Sequence, residues 1–326
     1  MKKKSFSTRD YSELFSELRQ IRTLRFSRKN KIHSNIKRQA GRKRLEEFIE
    51  EFWDGGYVYL ESGDYLYVPP VKENGDLARL FNPYIPEQII SKFCRPGNVV
   101  MDIGTNAGEW TLQMAKMVGS TGRVYSIDPL PSMNQAVKKT VAINNLSQVS
   151  ISQYAISNKI GSSKFTTPFN KEDQAKPGYS QLVSDEQFNS PEELALEIYP
   201  HAKELVKTKT IEVKTVTLDY FVSEKNITKL DFIKIDVERH ERLAIEGGQQ
   251  ALKTFKPSLI LEAGGEKTKE DREVIADQLR AVGYEIIGIV LHDGVIEVTW
   301  PQYIEMKKPF APPYTANVLF LPPIIS

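Results

Sequence analysis

The sequence has a single cysteine, Cys94, so no disulfide can form within the chain. A reducing compartment is the expectation that follows. Long apolar runs are also missing. Stretches such as Leu259-Ile260-Leu261 fall far short of the roughly 20 apolar residues that a bilayer-spanning helix needs. The basic start, Met1–Ser7, is not followed by the apolar core of a secretory leader, and a cytoplasmic location is expected. There is no internal repeat and no low-complexity tract. What is left is an ordinary globular composition, 40% hydrophobic and 26% charged.

A large net charge is absent too, but the total of +2 hides an asymmetry. Residues 1–45 hold 15 Lys and Arg against 3 Asp and Glu, a net of +12, and the remainder is acidic by 10. Such a basic arm can touch an anionic membrane surface or an acidic glycan. It can equally be a solvated helix that packs on the acidic remainder or on a second subunit.

Asp10 with Glu13 resembles a capping box, and Tyr11, Leu14, Phe15, Leu18 and Ile21 then fall at helical spacing. A second helical stretch is predicted over about 35–53, stopping at Gly55-Gly56. Tyr57–Leu60 and Tyr65–Val68 flank Ser62-Gly63-Asp64 and predict a β-hairpin. Residues 1–80 therefore read as a basic helical and hairpin extension, and residues 81–326 as the main domain. In that domain apolar runs begin at Val99, Arg123, Val149, Phe232, Leu259, Glu285 and Asn317. They alternate with helical patterns near 108–118, 131–144, 239–254 and 269–282. This predicts an α/β fold: a mostly parallel, seven-stranded, Rossmann-like sheet with helices on both faces. Residues 161–210 break the rhythm, with Pro168, Pro177-Gly178 and a short helix-like piece at 191–205. A lid or substrate loop is expected there.

The segment Val99–Gly108 ends an apolar run in Asp102-x-Gly104-x-x-x-Gly108 and then enters a helical pattern. A strand, tight turn and helix of this kind bring backbone N–H groups close to a nucleotide-like ligand. The dinucleotide fingerprint would have glycine at position 102. An acid there disfavours a pyrophosphate and favours a cationic ligand, which suits S-adenosylmethionine (SAM). By itself the turn is also compatible with plain packing. Twenty-six residues on, Arg123–Ile127 ends in Asp128, placed to accept hydrogen bonds from a ribose diol or to cap a helix. The run Phe232–Ile235 leads into Asp236, Glu238, His240 and Glu241, a polar cluster at a strand's carboxyl end. A histidine among carboxylates can act as a general base near neutral pH, whereas the glutamates can simply open a helix. Leu261-Glu262 closes another run with an acid, open to a capping or salt-bridge role.

These blocks resemble the FkbM family of SAM-dependent methyltransferases over about residues 80–265. The matching stretches are Asp102–Gly108, Tyr125–Pro129, Ala155-Ile156-Ser157 with Gly161, Val216–Asp219, Lys234–Glu238 with Glu241, and Leu261-Glu262. The resemblance implies methyl transfer from SAM, most often to a hydroxyl on a sugar, glycan or natural product. It implies that Asp102, Gly104, Asn106 and Gly108 shape the methionine end of the donor site. Asp128 would hold the ribose, and Ala155 and Ile156 would border the adenine. Asp236 would lie near the transferred methyl, with Asp236 or His240 as the base. Glu238, Arg239, Glu262 and Ser180 fall on the acceptor side. Two positions depart from the family pattern. Arg239 stands where glycine is usual, putting a cation at the mouth that would suit an anionic acceptor. Asp128 stands where glutamate is usual.

A divalent metal on Asp236, Glu238 and Glu262 is an open alternative, with hard oxygen ligands suited to magnesium or calcium. A degenerate fold serving as a SAM-binding scaffold is another, and N-methylation of an amine a third. A nicotinamide dehydrogenase is disfavoured by the missing glycine at 102. A nucleic-acid methyltransferase is disfavoured because neither Asp-Pro-Pro-Tyr nor Asn-Pro-Pro-Tyr occurs. A homo-oligomer is compatible with all of these readings.

Overall fold

The structure is a computed structural model that describes residues 53–60, 62–75, 85–171, 173–183, 205–262, 269–291, 294–306 and 317–322. The helices expected before Trp53, and the helix-like piece expected at 191–204, lie outside the described residues.

The first elements form the expected hairpin, with β1 (Gly56–Tyr59) antiparallel to β2 (Tyr65–Val68). A short helix α1 (Glu87–Ile90) leads to β3 (Val99–Ile103), α2 (Glu109–Val118), β4 (Arg123–Ile127), α3 (Pro131–Ile143) and β5 (Val149–Ser152). After an insertion come α4 (Leu218–Glu224), β10 (Phe232–Ile235), α5 (Glu241–Glu246), α6 (Gln249–Phe255) and β11 (Ser258–Glu262). The chain ends with α7 (Lys269–Ala281), β12 (Glu285–Leu291), β13 (Gly294–Glu297), α8 (Trp300–Ile304) and β14 (Asn317–Leu321).

The large sheet has the order β13-β12-β14-β11-β10-β3-β4-β5. Strands β11, β10, β3, β4 and β5 run parallel, while β14, β12 and β13 add antiparallel edges. Eight strands stand where seven were expected. The extra one is β13, a four-residue partner that hairpins back on β12 and is too short to register as its own apolar run.

Alternate residues along each central strand feed opposite layers. Met101, Ile103, Ile233 and Leu261 join the cluster under α4, α5, α6 and α7. Val100, Val124, Phe232 and Ile260 join the cluster under α1, α2 and α3. Both faces are covered, which is why these strands read as continuous apolar runs rather than alternating ones. Leu66 and Val68 of β2 are fully buried in the second cluster, so the hairpin is packed onto the main domain.

The insertion departs from expectation. Its described residues form a second sheet of order β6-β9-β7-β8 in place of a loop. Its strands are β6 (Ala155–Ser157), β7 (Gly161–Asn170), β8 (Gln181–Val183) and β9 (Leu205–Thr217). Pro168 is tolerated in β7 because β8 pairs only with Lys164–Thr166. The expected helix over 239–254 is split at Gly247-Gly248. A Cβ on Gly247 would stand 2.1 Å from the Ser157 carbonyl, so β6 lies directly against this corner.

Candidate functional site

The site sits where the order of parallel strands turns back. From β3 the chain builds β4 and β5 on one side and then β10 and β11 on the other. Ligands of open α/β sheets bind outside the carboxyl ends of strands at such a switch point. A crevice of about 640 Å³, counting its open mouth, lies there.

Gly104 and Asn106 line the crevice from the turn after β3. Gly104 has φ +81°, and a Cβ there would stand 1.7 Å from the Asp236 carbonyl oxygen. Only glycine lets the tips of β3 and β10 approach this closely. Gly108 lies outside the crevice lining. It starts α2 at φ +95°, with its Cα facing Val137 of α3.

Asp128 follows β4 and lines the same wall. The Asn106 N–H donates to its Oδ2 at 3.0 Å and the Leu130 N–H to its Oδ1 at 2.9 Å. These bonds fix the carboxylate while each oxygen retains a lone pair for a ribose hydroxyl. Burial pushes the Asp128 carboxyl up to about 7, against the pull of those two N–H donors. Ala155 and Ile156 continue the wall, and Leu130, Met133 and Tyr154 complete an apolar slot. Phe165 and Leu182 reach the slot from the insertion sheet. Phe165 carries no signal in the sequence, because only the pairing of β7 with β8 and β9 brings it there.

Asp102 is placed differently from the sequence reading. It is fully buried inside β3, outside the crevice lining, and accepts a 2.7 Å hydrogen bond from Thr111 Oγ1 of α2. Burial raises its carboxyl and the nearby Lys234 ammonium opposes this. Its Oδ2 ties β3 to α2 beneath the turn, and its Oδ1 is buried without a hydrogen-bond partner among the described residues.

The rim is built by β10 and the loop beyond it. Asp236, Glu238 and His240 line the crevice. Lys234, almost fully buried, stands 3.0 Å from Asp236 Oδ2 and over the Trp110 ring. His240 Nε2 is 3.2 Å from Ser157 Oγ. Glu241 is buried and accepts the Val237 N–H at 3.1 Å, which assigns it to shaping the loop. Ser180 lines the crevice from the insertion and donates to Thr167 Oγ1 at 2.8 Å. Glu262 stands outside the lining, yet ligand oxygens of Asp236, Glu238 and Glu262 lie within 4.8 Å of one another. Arg239 is exposed and outside the lining, at φ +72°, next to Glu238 at φ +48°. That backbone explains why glycine suits position 239.

The FkbM methyltransferase domain model matches residues 102–286, more than half of the chain. The chain belongs to the FkbM methyltransferase family. Curated relatives are more distant. It is 27% identical over 138 residues to Protein-L-isoaspartate O-methyltransferase 2 of Arabidopsis thaliana, covering 40% of this chain and 45% of that protein. It is 32% identical over 65 residues to the Ribosomal RNA large subunit methyltransferase E of Neisseria meningitidis, covering 20% and 32%. The chain thus spans less than half the length of these relatives. Among solved structures it is similar to a methyltransferase FkbM from Methylobacillus flagellatus KT, with 14% identity and a TM-score of 0.40. That match covers 69% of this chain and 43% of the other. The methyl donor of this FkbM chain is SAM. The crevice fits it: a glycine cradle that a Cβ would fill, an aspartate fixed with lone pairs to spare, and an apolar slot between them.

Proposed function

We propose that the chain transfers the methyl of SAM to a hydroxyl of a sugar, glycan or natural product. The observation that carries this reading is the placement of Asp236, Glu238 and His240 on the rim of the donor crevice. Carboxylates accept hydrogen bonds from hydroxyls and so can hold a polyhydroxylated acceptor. An amine would meet the same carboxylates as an ammonium, which has no lone pair for attack. SAM supplies a methyl already activated by its sulfonium, so alignment and proton removal are what the protein must add. His240 takes the hydroxyl proton, and its ring is oriented by Ser157. Asp236, its charge partly offset by Lys234, orients the hydroxyl. Arg239 at the outer edge favours an acceptor bearing negative charge, and the basic arm of residues 1–45 would hold the enzyme near an anionic glycan or membrane surface.

The test is mass spectrometry of candidate glycans incubated with the protein and methyl-labelled SAM. One labelled methyl on a hydroxyl is expected. His240→Ala should lower kcat by about a hundredfold or more, the usual range for a general base. Asp236→Asn should also slow turnover. Full activity in both variants, or label on nitrogen only, would refute the assignment.

A further inference from the structure

The segment just after the hairpin lies well before the family-matched region, yet it reaches the donor site. The N–H groups of Glu73 and Asn74 both donate to the Pro70 carbonyl, at 2.9 and 3.0 Å. This turn points Asn74 inward, where it is fully buried, while Lys72 and Glu73 stay exposed. The turn is clamped to the insertion. Ala175 donates to the Lys72 carbonyl at 3.0 Å, and Gly75 donates to the Ala175 carbonyl at 2.8 Å. Lys176 Nζ adds a 2.9 Å bond to the Gly75 carbonyl.

Asn74 Nδ2 donates to Asn106 Oδ1 at 3.1 Å and lies 3.9 Å from Met133 Sδ. Asn106 and Met133 both line the crevice. An asparagine side chain offers one acceptor oxygen and two N–H donors. Asn74 holds the Asn106 oxygen on the side of this turn, and the N–H groups are what remains for the crevice. Donors at that end of the site match a carboxylate, and SAM carries one on its methionine tail.

We propose that Asn74 is a positioning residue of the donor site, which sets Asn106 to donate its amide N–H groups to the methionine carboxylate of SAM. The proposal rests on the crevice being the SAM site and is independent of the acceptor. It makes residues 70–75 part of that site, although the family match begins at residue 102.

The experiment compares two ligands by titration calorimetry on the full chain. One is SAM. The other is 5′-methylthioadenosine, the same nucleoside thioether without the amino-acid tail. Asn74→Leu, close to asparagine in size, and Asn74→Ala should each weaken SAM by about tenfold. They should leave methylthioadenosine binding within twofold. In a double-mutant cycle with Asn106→Ala, the second substitution should add little to the loss of SAM affinity. Equal weakening of both ligands would mean general loosening of the pocket and overturn the proposal. Unchanged SAM affinity would overturn it as well. An Asp128→Ala control separates the premise: if it leaves both ligands unaffected, the crevice is not the donor site and the fault lies there.

Discussion

Asp128 provides the sharpest test of the donor site, because its titration falls in an accessible range. Burial raises its carboxyl from 3.8 to about 7. The folded protein therefore keeps that proton up to about pH 7, whereas the unfolded chain releases it near 3.8. The sign for stability follows. The stabilising contribution of the protonated, buried carboxyl is complete below the unfolded value and is lost as pH rises to about 7. Ligand affinity runs the other way, since a ribose diol donates hydrogen bonds and prefers the ionised carboxylate. With a free-protein value near 7, roughly one site in eleven is ionised at pH 6 and about nine in ten at pH 8. Nucleoside affinity should therefore rise about tenfold from pH 6 to pH 8 and then level off.

Methylthioadenosine is the right ligand, because it has no amine or carboxyl to titrate in that window. Calorimetry at half-unit steps from pH 5.5 to 8.5 would trace the curve. Asp128→Asn should bind more weakly at every pH, because one of the two backbone N–H donors loses its acceptor. Its profile should be flat. A flat profile in the wild type, or an unchanged slope in Asp128→Asn, would refute the assignment of Asp128 to the ribose.

Other perturbations test the remaining parts of the site. Gly104→Ala should cost at least about 3 kcal/mol in urea unfolding, from the left-handed backbone and the clash with the Asp236 carbonyl, and should abolish SAM binding. Thr111→Val should cost about 2 kcal/mol by stripping the donor from buried Asp102, while SAM affinity at 20 °C stays unchanged; a selective loss of SAM affinity would return Asp102 to the ligand. Arg239→Gly should stabilise the fold by about 0.5–1 kcal/mol, since relief of left-handed strain exceeds the extra entropy of glycine in the unfolded chain. A chelator should leave turnover intact, because Lys234 already sets a positive charge beside Asp236; loss restored by magnesium would show instead that Asp236, Glu238 and Glu262 hold a metal.

The central sheet was legible because its strands are buried on both faces and read as short apolar runs. The insertion was not, because its strands have one wet face. In β9 the run Lys207–Glu212 holds one apolar residue, Ile211, and so shows no apolar alternation. Ala155, Phe165 and Val213 carry this sheet into the cluster beside the crevice, with Leu182 and Ile211 packed against it. Asn74 left no local signal at all. Its role depends on a contact 32 residues away that the Pro70 turn and the insertion create together.

The acids at the strand ends show what finer reading the sequence allowed. The parallel register sets Ile103 beside both Ile127 and Ile235, and Ile235 beside Leu261. One residue further along lie Gly104, Asp128, Asp236 and Glu262, all at the level where the sheet ends and the site begins. Asp102 is paired with Lys234 and Ser126, one residue short of that last apolar layer. Two residues of strand separate it from the Asp128 level, or about 6–7 Å at about 3.3 Å each. That depth puts its carboxylate inside the sheet, with Oδ2 against Thr111 and Lys234 nearby. The distinction lies in the strand register. Asp102 is followed by apolar Ile103, but Asp236 is followed by Val237 and Glu262 by Ala263, so neighbouring residues alone do not separate the acids. An acid paired with residues one layer short of the strand ends belongs to the sheet, and an acid one layer beyond the paired isoleucines belongs to the mouth. By that register the Thr111 and Asp128 variants must separate, the first losing stability at constant affinity and the second losing affinity with its pH dependence.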